Sequence, residues 1–204
     1  MPKVFNIFIF IAALVLGYGL FSSVTNFTKT ETRPLAAISS PGSVSDVRGL
    51  SKVESALEPV SFSIPSIDVE NAKVESVGLD KENKMDIPKD ENNVAWYNLG
   101  VKPGETGNAV IAGHYDKKSG DPSVFYNINK LKPGDELIVT DEKGKELVFA
   151  VTEVKTYELS DFPLQEVFGI GTKPRLNLIT CEGNFDTSSK LYSHRLVVYS
   201  ELKS

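Results

Sequence analysis

One cysteine stands in the 204 residues, so no intramolecular disulfide is possible and the lone thiol calls for another explanation. Two histidines and one cysteine do not supply an ordinary four-ligand structural zinc set. Positive charge is short as well. Residues 60–204 carry 17 Lys and Arg against 23 Asp and Glu, which argues against a nucleic-acid binder and its basic footprint. There is no internal repeat and no long charge run, so neither a repeat array nor a charged tail is expected. What is present is the composition of a globular protein, 41% hydrophobic and 24% charged, on a chain long enough for one domain with extra segments.

The first segment is apolar. From Val4 to Phe21 the run VFNIFIFIAALVLGYGLF has no charge, and its 18 residues meet the lower limit for a helix crossing a bilayer. It reads as a signal anchor or a cleavable signal peptide, and the lack of a small-x-small cleavage site after it favours the anchor. Lys3 ahead of the run puts the N-terminus in the cytoplasm and the larger part of the chain outside. The expected division is a cytoplasmic start and transmembrane anchor over 1–21, an extracytoplasmic linker over 22–59 and a folded domain over 60–204. The linker is rich in Ser, Thr and small residues, contains Pro34, Pro41 and Pro59, and has no sustained apolar period.

Beyond Val60 the pattern is short β-type runs broken by turn residues. SFSIP, AKVESVG, NAVIAG, DELIVT, ELVFAVTEVKTYEL, RLNLIT and HRLVVYSEL predict seven or eight strands. Closure into a barrel is the natural way to protect that many strand edges. Helix is expected only in SVFYNINKL and FPLQEVFG.

Three reactive side chains fall at predicted strand ends, where loops build sites: His114 after NAVIAG, Cys181 after RLNLIT, and Arg195 at the start of the last strand. The segment Glu182 to His194 reads as a polar loop that returns the chain, so that Cys181 and Arg195 flank its base. A thiolate attacks an acyl carbon, an imidazole gives a proton to a leaving amine, and a fixed cation offsets charge on the carbonyl oxygen. Together they suffice for amide cleavage through a thioester, with no metal or other cofactor required.

The runs IAGHYD and LNLITCEG, with Arg195 following in HRLVVY, resemble the His, Thr-Cys and Arg motifs of the sortase family. The similarity extends upstream through IPSIDVENAKVESVGLDKENKMDIPKDENNVAWYNLGVKPGETGNAVIAGH, covers roughly residues 60–202 and is nearest in appearance to class F and related groups. It implies a mostly β fold, a closed eight-stranded barrel with short helices, anchored on the outer leaflet of a Gram-positive cell membrane. It implies a ping-pong transpeptidase in which Cys181 attacks the Thr-Gly bond of an LPxTG-like sorting signal, His114 serves as acid and then base, and Arg195 supports the carbonyl. Thr180 matches the family threonine and is expected to help hold the oxyanion or substrate. The implied partners are sorting-signal proteins and an acceptor amine from a peptidoglycan precursor or a pilin lysine.

Blander readings exist for each residue. A free cysteine is commonly a buried small side chain, and an arginine at a strand end commonly pairs with a carboxylate, here Glu182 or Asp186. His194 neighbours Arg195 and by strand alternation faces the other way, so it is assigned no catalytic role. Trp96 and Tyr97 read as core or barrel-wall aromatics, and Asp86, Asp90 and Glu91 as a solvated acidic loop rather than a calcium site. The competing functions are a non-catalytic surface β-barrel that binds a partner, and an L,D-transpeptidase-like peptidoglycan enzyme, whose SxGCxR-like segment is absent.

Overall fold

Alternating strand runs and turn residues become eight strands in the computed structural model, which describes residues 58–203. They are β1 (Pro59–Ile64), β2 (Val69–Val77), β3 (Val94–Tyr97), β4 (Gly107–Gly113), β5 (Glu136–Asp141), β6 (Glu146–Glu158), β7 (Pro174–Asp186) and β8 (Leu191–Leu202). They close in the order β1-β2-β3-β4-β7-β8-β6-β5, and β5 returns to pair with β1. Closure removes the free edges that would otherwise recruit another chain. The expected eight-stranded barrel is therefore what forms. The seven predicted runs all become strands, and β3 is the eighth: four residues between asparagines, too short to show a period.

Two of the pairings are parallel, β2 with β3 and β4 with β7, and the rest are antiparallel. Phe62, Ile64, Trp96, Phe125, Leu137 and Phe149 are among the side chains that fill the interior. The Trp96 indole N–H donates to the Val101 carbonyl at 3.3 Å, so this aromatic is core as expected. A second apolar cluster lies on the outer face of β4, β7 and β8, where Val110, Val197 and Tyr199 meet Val167 of the helix α1 (Leu164–Phe168). Asn108 and Asn177 hold that helix down, their amides donating to the carbonyls of Glu166 and Val167 at 2.9 and 2.8 Å. Burial on both faces explains why NAVIAG and LNLIT read as nearly unbroken apolar runs rather than alternating ones.

The segment from Glu182 to His194 is not a loop. β7 runs on to Asp186 and β8 begins at Leu191, leaving only a short turn that the Asp186 carboxylate caps through Ser188 and Ser189. Those hydroxyl and amide donors hold the Asp186 carboxyl down to about 2. A register shift between Glu182 and Phe185 disrupts the ladder there. Gly183 serves it with φ +87°, at a point where a Cβ would run into Ser193 and His194. The polar composition belongs to an exposed hairpin, which composition alone does not separate from a loop. In consequence Cys181 and Arg195 lie within strands, and only His114 sits beyond a strand end.

FPLQEVFG supplies α1 as expected, whereas SVFYNINKL forms turns and a single 3-10 turn at Ile128–Lys130. Its backbone is diverted: Phe125 N–H donates to the His114 carbonyl at 3.0 Å and the Phe125 ring enters the core. No helix among the described residues is long and apolar enough to cross a membrane. The predicted anchor, and the linker up to residue 57, lie outside the described residues.

Phe125 packs directly on Gly113, where a Cβ would sit 2.6 Å from the ring. Gly113→Ala is expected to destabilise the domain by roughly 1–3 kcal/mol, the usual cost of overpacking. Denaturant unfolding of the two proteins measures it, and equal midpoints would show that the ring yields freely.

Candidate active site

Parallel pairing brings two of the predicted residues to one edge. β4 and β7 run in the same direction, and Ala112 opposite Ile179 is their last register pair. The same offset sets Gly113 level with Thr180, whose hydroxyl donates to the Gly113 carbonyl at 2.9 Å. One step further it sets His114 level with Cys181. On the other side of β7, Cys181 lies directly opposite Arg195 of β8. Since the strand order is β4-β7-β8, Cys181 occupies the middle position between the histidine and the arginine.

Alternation assigns the faces. Ile179 and Val197 pack in the outer cluster, so Cys181 and Arg195, two residues away on each strand, share that outer face. Thr180 and Leu196 alternate with them and are buried. Cys181 itself is partly buried and borders a shallow surface recess that Tyr115, Tyr126, Thr180 and Glu182 help to line.

Four aromatic rings run beside it. Tyr126 and Tyr115 have centroids 4.9 Å apart, Tyr115 and Tyr192 6.0 Å, and Tyr192 and Phe185 5.1 Å. They link the segment after β4 to the β7–β8 hairpin, and the Tyr192 hydroxyl fastens them by donating to the Asp116 carboxylate. Burial, together with that carboxylate, pushes the Tyr192 phenol up to about 12, so it remains a donor at neutral pH.

Arg195 is the cation of the site. Its Nη1 donates to the carbonyl of His194 at 2.9 Å and to that of Tyr192 at 3.4 Å, and among the described residues it has no ion pair. The two carboxylates expected to neutralise it are used elsewhere: Glu182 accepts from Thr156 Oγ1 at 2.6 Å, and Asp186 caps the turn. His114 places Nε2 3.0 Å from the Pro88 carbonyl. His194 contacts Ser193 through Nδ1 at 2.6 Å and sits opposite Glu182 in the ladder. The acidic loop residues brace backbone: Asp86 accepts from Ile87 N–H, Asp90 from Asn92 N–H, and Glu91 from Lys118 N–H.

Sequence reasoning passed over Tyr115, Asp116, Tyr126 and Tyr192. The first two directly follow His114 and were within sight. Tyr192 escapes because its exposed strand is as polar as a loop, and the pairing of its hydroxyl with Asp116 spans 76 residues.

Burial pushes the Cys181 thiol above its ordinary value, Arg195 pulls it back and Asp116 pushes it further up. The resting side chain at neutral pH is therefore the thiol. Alkylation by iodoacetamide, which consumes the thiolate, should titrate with a midpoint above that of an ordinary cysteine. Arg195→Gln should raise that midpoint and Asp116→Asn should lower it. A midpoint below the ordinary cysteine value in the unaltered protein would contradict this balance.

The sortase domain family matches residues 62–203. No curated protein matches the chain. Among solved structures, the fold is similar to sortase A from Corynebacterium diphtheriae, with a TM-score of 0.54 and 25% identity over 73% of this chain. The match spans 63% of that corynebacterial chain, less than two thirds of its length. Sortase C1 from Streptococcus agalactiae has a TM-score of 0.54 and 20% identity, over 71% of this chain and 67% of its own. A Clostridium perfringens sortase D5 transpeptidase has a TM-score of 0.54 and 23% identity, over 72% and 79%. These structures carry the labels A, C and D and share the fold; none of them singles out class F. With a family match over most of its length and the barrel to go with it, the chain belongs to the sortase family.

Proposed function

We propose that this protein is a cysteine transpeptidase that cleaves an LPxTG-like sorting signal at its Thr-Gly bond and passes the acyl group to an amine. The observation that carries the reading is the placement of one thiol on β7 between His114, just past β4, and an arginine on β8 that has no carboxylate partner among the described residues.

The chemistry follows from that placement. Because the thiol rests neutral, attack requires a base, and His114 takes the proton as sulfur bonds to the threonine carbonyl carbon. Negative charge collects on the carbonyl oxygen, and the Arg195 guanidinium offsets it. Collapse breaks the C–N bond, with the proton on His114 passing to the departing glycine amine, and leaves a thioester on Cys181. An incoming amine then gives its proton to His114, attacks the thioester and returns the thiol. The acceptor is an amine of a peptidoglycan precursor or a pilin lysine. Thr180 contributes to substrate binding through the backbone: its hydroxyl proton goes to Gly113, which fixes the position of the residue before the nucleophile.

We place the protein on the cell membrane, with residues 1–21 as a single-pass anchor, 22–59 as a tether and 60–204 as the catalytic domain on the outer side. The charge-free run Val4 to Phe21 supports this arrangement.

Cys181→Ala is expected to abolish both cleavage of a labelled LPxTG peptide and transfer to an added amine, while the melting temperature stays close to that of the parent. Full activity in that variant would sink the reading.

A further inference from the structure

The Pro88–Lys89 peptide unit is gripped at both ends. Its carbonyl oxygen lies 3.0 Å from His114 Nε2, and its N–H donates to Glu75 Oε2 of β2 at 3.0 Å. In a trans peptide the C=O and N–H point in opposite directions, so the two bonds together fix the rotation of the plane. Glu75 adds a bond from Asp90 N–H at 3.2 Å and one from Asn93 Nδ2 at 2.8 Å, and Pro88 is buried. Burial works against ionisation of Glu75, but the donors from Lys89, Asn93 and Asp90 outweigh it and hold the carboxyl below its ordinary value. The far side of the same segment is tied to the chain that follows His114, where Lys118 N–H and Ser123 Oγ both donate to Glu91.

We propose that Glu75 is a positioning residue for the acid–base step, acting through the Pro88 carbonyl to hold His114 as the Nε2–H tautomer, with Nδ1 as the nitrogen that takes and returns the proton. This rests on His114 being the acid–base residue. A peptide carbonyl only accepts, so Nε2 must donate to it, and in a neutral imidazole the other nitrogen then holds the lone pair. A carboxylate bonded to the amide N–H polarises the peptide and strengthens its oxygen as an acceptor. The peptide thus stands between carboxylate and imidazole, in the orienting role that a directly bonded aspartate fills in hydrolase triads.

The test uses the full chain in detergent micelles, labelled with ¹⁵N, with His194→Gln to identify the second imidazole. Ring-nitrogen spectra of neutral His114 are expected to show a protonated Nε2 and an unprotonated Nδ1. In Glu75→Ala, kcat on an LPxTG peptide should fall on the order of tenfold or more while KM changes little, as expected for a misplaced catalytic group. Glu75→Gln, which keeps an acceptor for Lys89 N–H, should recover part of the loss. A neutral His114 protonated on Nδ1 would overturn the proposal, as would unaltered kcat in a folded Glu75→Ala. If Glu75→Ala does not fold, the spectrum of the otherwise unaltered chain decides. Retained activity in Cys181→Ala would instead remove the catalytic reading beneath it, leaving the tautomer as observed.

Discussion

The parallel pairing of β4 with β7 is the constraint on which the site depends. Parallel strands finish at the same edge of a sheet, so two segments far apart in the chain deliver their C-terminal ends side by side. The offset that pairs Ala112 with Ile179 aligns Gly113 with Thr180, the residues directly before His114 and Cys181. The Thr180 hydroxyl, buried and bonded to the Gly113 carbonyl, locks that register at its last step. The antiparallel pairing of β7 with β8 then adds Arg195 from the opposite side. A one-residue slip in either ladder would turn its side chains to the other face of the wall and separate the three groups.

The packing around this edge sets the chemistry available to it. The outer cluster beneath α1 packs Ile179 and Val197 next to the site, and the aromatic row from Tyr126 to Phe185 links the segment after β4 to the β7–β8 hairpin. Partial burial disfavours the thiolate, while the Arg195 guanidinium favours it. The balance keeps the thiol protonated, the form less reactive toward electrophiles. The Arg195 charge stays available because the hairpin uses its own carboxylates for other purposes: Glu182 on Thr156 and Asp186 on the turn serines.

Much of the fold is legible in the sequence because turn residues separate β-branched and aromatic runs. Seven strands and α1 follow from that pattern. β3 escapes because four residues carry no period, and the tip of the β7–β8 hairpin escapes because its exposed strands are as polar as a loop. His114, Cys181 and Arg195 can be picked out from residue type, spacing and family resemblance. Their placement at one edge of the wall cannot, since it depends on a ladder between strands with two others intervening in the chain. The Glu75 grip on the Pro88–Lys89 peptide is invisible for the same reason: nothing local marks a glutamate on β2 as a partner of a histidine beyond β4.

The proposed transpeptidation requires that Cys181 carry an acyl group during turnover. The most direct measurement is mass spectrometry of the protein quenched during reaction with an LPxTG peptide in the absence of an acceptor amine, followed by proteolytic mapping. The expected product is an adduct equal to the peptide up to and including its threonine, located on the fragment containing Cys181 and released by hydroxylamine. Cleavage of the peptide with no such adduct, or with the adduct on another residue, would contradict it.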